Sequence, residues 1–347
     1  MRKHHPKNER IKRLYLNYLE DVMGRDRKTV DLAAAAIALF EASTNWKDFR
    51  HFHFEQARKF KRDMDDHLVE QTGQPLSAST KVSRLRAVKA FFVWLAGQPG
   101  YRGRLKSSDM EYFNAPAKDA RIASATRLRR VPTLEQVRHV LATMPAETAL
   151  DRRDRAIIAL TVLCAPRDGA LISLKHKHVE LSDFAVHQDA RDVSTKNAKS
   201  FTTWFAPMGR DLETIVEVWL MELKTVHLFG PDDPLFPATA IGLDGEGQFA
   251  AKGLSRSHWA DAAPVRKIFR KAFEGAGLPY CNPHSLRTTH WLWVERADLS
   301  RVEEKALSQN IGHEHIRTSS QSYGPISVHE QRDLIHRVRA RIYGEAA

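Results

Sequence analysis

The excess positive charge of this chain is confined to its first third. Residues 1–130 carry 27 Lys and Arg against 15 Asp and Glu, whereas residues 131–347 carry 27 of each. That asymmetry argues for two units with different tasks: a basic module that holds a polyanion, and a neutral domain that does something more specific. A solvated basic surface with no partner is the blander alternative. A length of 347 residues suits about two domains, and 42% hydrophobic residues suffice for a sizeable core. No apolar run approaches the ~20 residues of a membrane span, and no apolar signal segment follows the basic N-terminus MRKHHPKNERIKR. Cys164 and Cys281 stand far apart in sequence, which argues against a disulfide framework and for a reducing, cytoplasmic compartment.

Apolar periodicity predicts four helices in the basic third, over 10–24, 29–42, 53–71 and 77–96. In the fourth, SASTKVSRLRAVKAFFVWLA, an apolar stripe runs through Val82, Leu85, Val88, Phe92 and Leu95, and Lys81, Arg84 and Lys89 lie mostly off it. Those three cations are either a solvated face or a surface laid against DNA phosphates, where counterion release would add affinity. Turn formers in GQPGYRGR end the pattern. The small, polar PAKDARIASATRLRR reads as a linker over 115–130, either a plain tether or a basic strap carrying Arg121, Arg127, Arg129 and Arg130. The expected organisation is a helical domain at 1–114, a basic linker at 115–130 and a second domain at 131–347.

The second domain reads as mainly α with a small β-sheet. Thr133 with Glu135 and Gln136 marks a helix start, with Val137, Val140 and Leu141 turned inward. DRRDRAIIALTVLC at 151–164 is an apolar helix. Residues 184–207 alternate and carry Thr, Val, Phe and Trp, so a sheet is predicted there, turning at NAKS. Further helices are predicted at 211–226, 258–276, 284–297, 300–309 and 328–343.

Several polar residues stand in odd places. Arg167 ends an apolar helix, where a cation is costly without a strong anion or an ion pair. Lys196 lies in the 190s hairpin. NPHSLRTTHW sets His284, Arg287 and His290 three apart, sharing a helical face behind a proline suited to a helix start. NIGHEHIRTSSQSYG then carries His313 and, ten residues on, Tyr323. The His-x-His pairs at His51/His53, His176/His178 and His313/His315 have a metal-ligand look, but none has a third ligand at diagnostic spacing. No metal is expected.

Taken in order, these residues carry a resemblance. From about 131 to 343 the chain resembles the catalytic domain of the tyrosine recombinases, the phage-integrase family, most specifically in His284-Ser285-Leu286-Arg287 and Ile311-Gly312-His313. KVSRLRAVKAFFVWL resembles the last helix of that family's helical core-binding domain. The resemblance implies a two-domain DNA-breaking-rejoining architecture that cuts and rejoins DNA through a 3′-phosphotyrosyl link, without metal, ATP or a small-molecule cofactor. Tyr323 would be the nucleophile, His284 its base, and Arg167 and Arg287 the phosphate clamp. His313 would bind the scissile phosphate, and Lys196, or else Lys199, would be the general acid. Such a chemistry wants arginines, because negative charge builds on the non-bridging oxygens and guanidinium answers it with fixed, paired donors. A tyrosine hydroxyl, with its pKa near ~10, ionises more readily beside them.

The resemblance also implies double-stranded DNA sites as partners, a homo-tetramer assembled on them, no membrane, and a nucleoid-associated location. Lys81, Arg84, Lys89, Arg127, Arg129 and Arg130 are the expected DNA contacts. No arm-binding domain is expected ahead of residue 10. Three departures stand out. Ala165-Pro166 replaces the usual Gly-Leu before the first arginine, Thr288 replaces the frequent His after the second, and the interval from His313 to Tyr323 is one residue longer. Tyr280 and Tyr343 are the other nearby tyrosines. A catalytically inactive DNA-binding relative and a type IB topoisomerase-like DNA relaxer are the alternatives.

Overall fold

The computed structural model describes residues 4–69, 73–125, 130–195, 198–311 and 326–344. The chain divides into two compact units, Met1–Leu128 and Arg129–Ala347.

The first unit is all-helical: α1 (Pro6–Asn17), continued by a π-turn at Tyr18–Val22, α2 (Arg27–Ser43), α3 (Phe54–Asp66), α4 (Ala78–Ala96), α5 (Ser107–Met110) and α6 (Ala117–Ser124). The stripe on α4 is its inner face, with Val88, Phe92 and Leu95 fully buried. They close on Phe40, Phe49, Phe52, Phe60 and Phe113, whose rings meet mostly edge to face at 5–6.5 Å. Asn8 is buried and fully used: its amide donates to Glu41 Oε1 and Lys47 O and accepts from Phe49 N, tying α1 to the turn after α2.

Two details differ from expectation. α3 stops at Asp66 rather than running to 71, and a Leu68–Pro75 bridge follows. Part of the stretch expected as linker is helix α6, packed on α4 within the first unit. Pro116 at its cap and the small residues after it favour that turn of helix.

The second unit is built on α7 (Leu134–Thr143), α8 (Ala149–Cys164), α9 (Asp168–Ser173), α10 (Arg210–Thr225), α11 (Ala263–Gly275), α12 (Pro283–Arg296), α13 (Arg301–Asn310) and α14 (Val328–Tyr343). Thr133 and Gln136 form a reciprocal cap at the start of α7. α8 is buried from Ala156 to Cys164 and forms the spine of the core, with Trp219, Phe236, Phe269 and Leu286 around it.

β1 (Val179–Glu180), β2 (Ala185–Gln188) and β3 (Phe201–Trp204) form an antiparallel sheet in that order, Ala185 opposite Trp204 and Gln188 opposite Phe201. A second hairpin, β4 (Thr239–Leu243) with β5 (Phe249–Leu254), was not expected. Its Ile241, Leu243 and Phe249 face solvent, so its sequence shows no buried alternation. α11 begins at Ala263 rather than 258, since Pro264 belongs in a first turn. Among the described residues no helix is long and apolar enough to cross a membrane.

Candidate active site

The site begins where α8 ends. Ala165 turns left-handed, at φ 46°, and Pro166 follows it. Arg167 then caps α9 in extended conformation, its carbonyl taking the first helical bond from Leu171 N at 2.9 Å. The left-handed turn is where a glycine would sit without strain, and here an alanine takes it.

α12 supplies the second arginine. Asn282 caps the helix by accepting from Ser285 N at 3.0 Å, and Pro283 fills the first turn. Thr289 Oγ1 donates to Pro132 O at 2.6 Å, and His290 Nδ1 lies 3.2 Å from Val162 O, which fixes the helix against α8. Arg287, 6% exposed, donates from Nη1 to Ala165 O and from Nη2 to Ile311 O at 2.6 Å. One guanidinium thus holds the residue two before Arg167 and the residue two before His313.

Arg167 and Arg287 line one cleft with Cys164, Gln188, Thr195, Phe201, Thr203 and Ile311. No carboxylate belongs to that lining among the described residues. Burial, and then the facing charge of Arg167, push the Arg287 guanidinium down to about 10. It stays charged at neutral pH, in a place where an added anion would relieve both costs. Thr195, in the connection after β2, and Phe201, the first residue of β3, also line the cleft.

His284, one turn before Arg287, is exposed, whereas His290 is fully buried. Three residues advance a helix by about 300°, so the imidazole–guanidinium–imidazole row drifts off one face. Lys199 is exposed just before β3. Lys196, His313, Tyr323, Arg127 and Arg129 lie outside the described residues.

Of the expected DNA-contacting cations, Arg130 is exposed. Lys81 and Lys89 are engaged inside their own unit, the first with Asp65 and the second with Glu111 at 2.8 Å. Arg84 is partly buried, and burial lowers its pKa. A basic surface that the charge tally hid lies on α11, where Arg266, Lys267, Arg270 and Lys271 are all exposed. Arg266 also pairs at 3.2 Å with Asp168, the neighbour of Arg167. The spacing R-K-x-x-R-K in RKIFRK was the available signal.

The phage integrase family model matches residues 130–328, more than half of the chain. The chain belongs to the phage integrase family. It is therefore a tyrosine recombinase by family, and its two-unit, mainly helical fold agrees. The tyrosine recombinase XerC of Chromobacterium violaceum is 24% identical over 302 residues, covering 86% of each chain. A λ integrase dimer bound to a COC′ core site is similar in fold, at 13% identity and a TM-score of 0.59, over 92% of this chain and 99% of that one. So is the XerH recombinase bound to a palindromic difH substrate, at 17% identity and a TM-score of 0.52, over 91% and 78% of the two chains.

For a recombinase of this family the nucleophile matters most, and Tyr280 and Tyr343, the other tyrosines near the motifs in sequence, both have hydroxyls that are harder to ionise than usual. Burial, and then the hydrogen bond that its hydroxyl donates to the Glu213 carboxylate at 2.8 Å, push Tyr343 far up. Burial raises Tyr280 as well.

Proposed function

We propose that this recombinase cuts and rejoins double-stranded DNA through a covalent link at Tyr323, with Arg167 and Arg287 as the phosphate clamp. The observation that carries the reading is the convergence of two arginines on a buried cleft whose described lining has no carboxylate. In the forward step the Tyr323 oxygen attacks phosphorus as His284 takes its proton. The bond to the 5′-oxygen breaks, and Lys196, or Lys199 in its place, gives that oxygen a proton. His313 bonds the phosphate, and the two guanidiniums hold its developing charge. The ester keeps the bond energy, so a 5′-hydroxyl reverses the step without ATP.

DNA is held along the basic surfaces: Lys81, Arg84 and Lys89 of α4, the segment with Arg127, Arg129 and Arg130, and the α11 face. Lys81 and Lys89 would exchange carboxylate partners for phosphates. Four protomers assemble on two sites, and the protein resides with the nucleoid. A λ integrase tetramer bound to a Holliday junction, similar in fold at a TM-score of 0.56, supports the tetrameric reading.

A nicked suicide substrate, made from a DNA junction captured by the purified protein, tests the chemistry. A covalent adduct forms with the wild type and is absent with Tyr323→Phe. An adduct that persists in Tyr323→Phe rejects this nucleophile, and no adduct from the wild type favours an inactive DNA-binding relative. Strand exchange between two duplexes separates recombination from supercoil relaxation.

A further inference from the structure

At the outer edge of β3, the backbone of Trp204 is capped by one side chain. Trp204 pairs with Ala185 in a position that turns its own N–H and C=O away from β2. Both are taken by Asn310, the last residue of α13: its Oδ1 accepts from Trp204 N at 2.8 Å and its Nδ2 donates to Trp204 O at 2.7 Å. The Asn310 carbonyl accepts from Thr203 Oγ1 at 2.9 Å, and Thr203 Oγ1 accepts in turn from Gln188 Nε2 at 3.0 Å. Asn310 and Thr203 are fully buried. The amide side chain therefore acts as one more residue of sheet, with both of its polar ends used.

Two parts of the site meet at this joint. On one side is the β2–β3 hairpin, whose connection contains Lys196 and Lys199. On the other is Ile311, whose carbonyl is held by Arg287. Thr203, Gln188 and Ile311 all line the arginine cleft. The base of the hairpin has a second tie, Ser194 N donating to Ser173 Oγ of α9 at 2.8 Å.

We propose that Asn310 is a positioning residue: it locks the lysine-bearing hairpin to the end of α13, so that the general acid and the arginine clamp share one frame. Asn310 does not touch the phosphate. It acts by fixing where the hairpin lysine stands when the 5′-oxygen leaves. The inference rests on the reading of a hairpin lysine as that acid. Nothing in the sequence marks the residue, since an asparagine ending a helix reads as an ordinary cap.

A substrate with sulfur in the 5′-bridging position tests it, because a thiolate leaves without a proton. Adduct formation is measured in single turnovers at saturating DNA, with DNA affinity and thermal melting recorded alongside. Asn310→Ala is expected to keep DNA affinity, to cleave the oxygen substrate roughly 10²-fold slower, as expected of a displaced catalytic group, and to cleave the sulfur substrate at nearly the wild-type rate. Thr203→Val, which removes both bonds of the Thr203 hydroxyl at nearly constant shape but leaves the two Asn310–Trp204 bonds, should show a smaller defect of the same kind. It carries the test if Asn310→Ala does not fold.

Lys196→Ala separates the two layers of the reading. If the sulfur substrate rescues Lys196→Ala but not the joint variants, or if those variants cleave the oxygen substrate at the wild-type rate, the positioning role is overturned and the lysine reading stands. If the joint variants are rescued and Lys196→Ala is not, the acid is another group of the hairpin, Lys199 first, and the positioning role stands. If neither is rescued, both fail.

Discussion

Two arginines are equally buried in the second unit and are used in opposite ways. Arg339 on α14, 4% exposed, lies 3.6 Å over the Phe184 ring and donates in parallel to both oxygens of Glu213, at 2.5 and 2.6 Å. Glu213 is itself fully buried and also takes bonds from Tyr343 and Arg210. Arg287, 6% exposed, has backbone carbonyls for partners and another arginine for a neighbour. Burial therefore does not distinguish the two; the counter-ion does. Arg339 brings its anion with it, and Arg287 has none among the described residues that line its cleft, which suits the proposed role of receiving a phosphate.

The contrast can be broken from either side. The largest effect should come from Glu213→Gln, which leaves Arg339 buried without its charge partner. It should cost about 3–5 kcal/mol of stability, read as a drop in melting temperature of roughly 10 °C, with cleavage per folded molecule unchanged below the transition. Arg287→Gln should do the reverse: adduct formation falls by roughly 10²–10³, while the melting temperature stays within about 4 °C of the wild type. If both substitutions unfold the protein, or both merely slow cleavage, the distinction fails.

Smaller effects sharpen it. Phosphate or vanadate should stabilise the wild type by about 1.4 kcal/mol at ten times its Kd, and this gain should vanish in Arg287→Gln at matched ionic strength and survive in Lys89→Gln. Ala165→Gly relieves the left-handed turn beneath the clamp and should add about 0.5–1 kcal/mol, visible in a urea midpoint.

The smallest effect is in pH dependence. Burial pushes the Asp183 carboxyl up, but bonds from Arg332 and Trp204 pull it down further, so its pKa ends below the ordinary range. Its contribution is therefore present above the unfolded-state value near ~3.9 and lost as pH falls through the folded value. Between about pH 4 and pH 2, Asp183→Asn should lose less stability than the wild type.

The sequence revealed most where a residue stood against its surroundings. Arg167 after an apolar helix and Arg287 in a capped turn of helix both announced themselves, and the cleft brings them together. His284 was legible as part of a motif, but equal spacing hid the angular drift that leaves it exposed while His290 goes under. The α11 face was invisible to a charge total, because acidic residues elsewhere in the unit cancel it. The β4–β5 hairpin was missed because its apolar residues face outward and no buried period marks it. α14 packs through Leu334 and Ile335 on its own domain. Asn310 left no trace at all, since its role depends on a strand edge a hundred residues earlier in the chain.

That strand edge has a consequence of another kind. An uncovered outer strand is a template on which a second chain can add its own strand, and such pairing ends in aggregates. The three-stranded sheet here is small, and its last strand ends in Trp204. With Asn310 occupying that residue's outward N–H and C=O, the outer side is blunted at its most apolar point. For a protein proposed to gather in several copies on DNA, this favours meetings dictated by the DNA sites over meetings through exposed backbone.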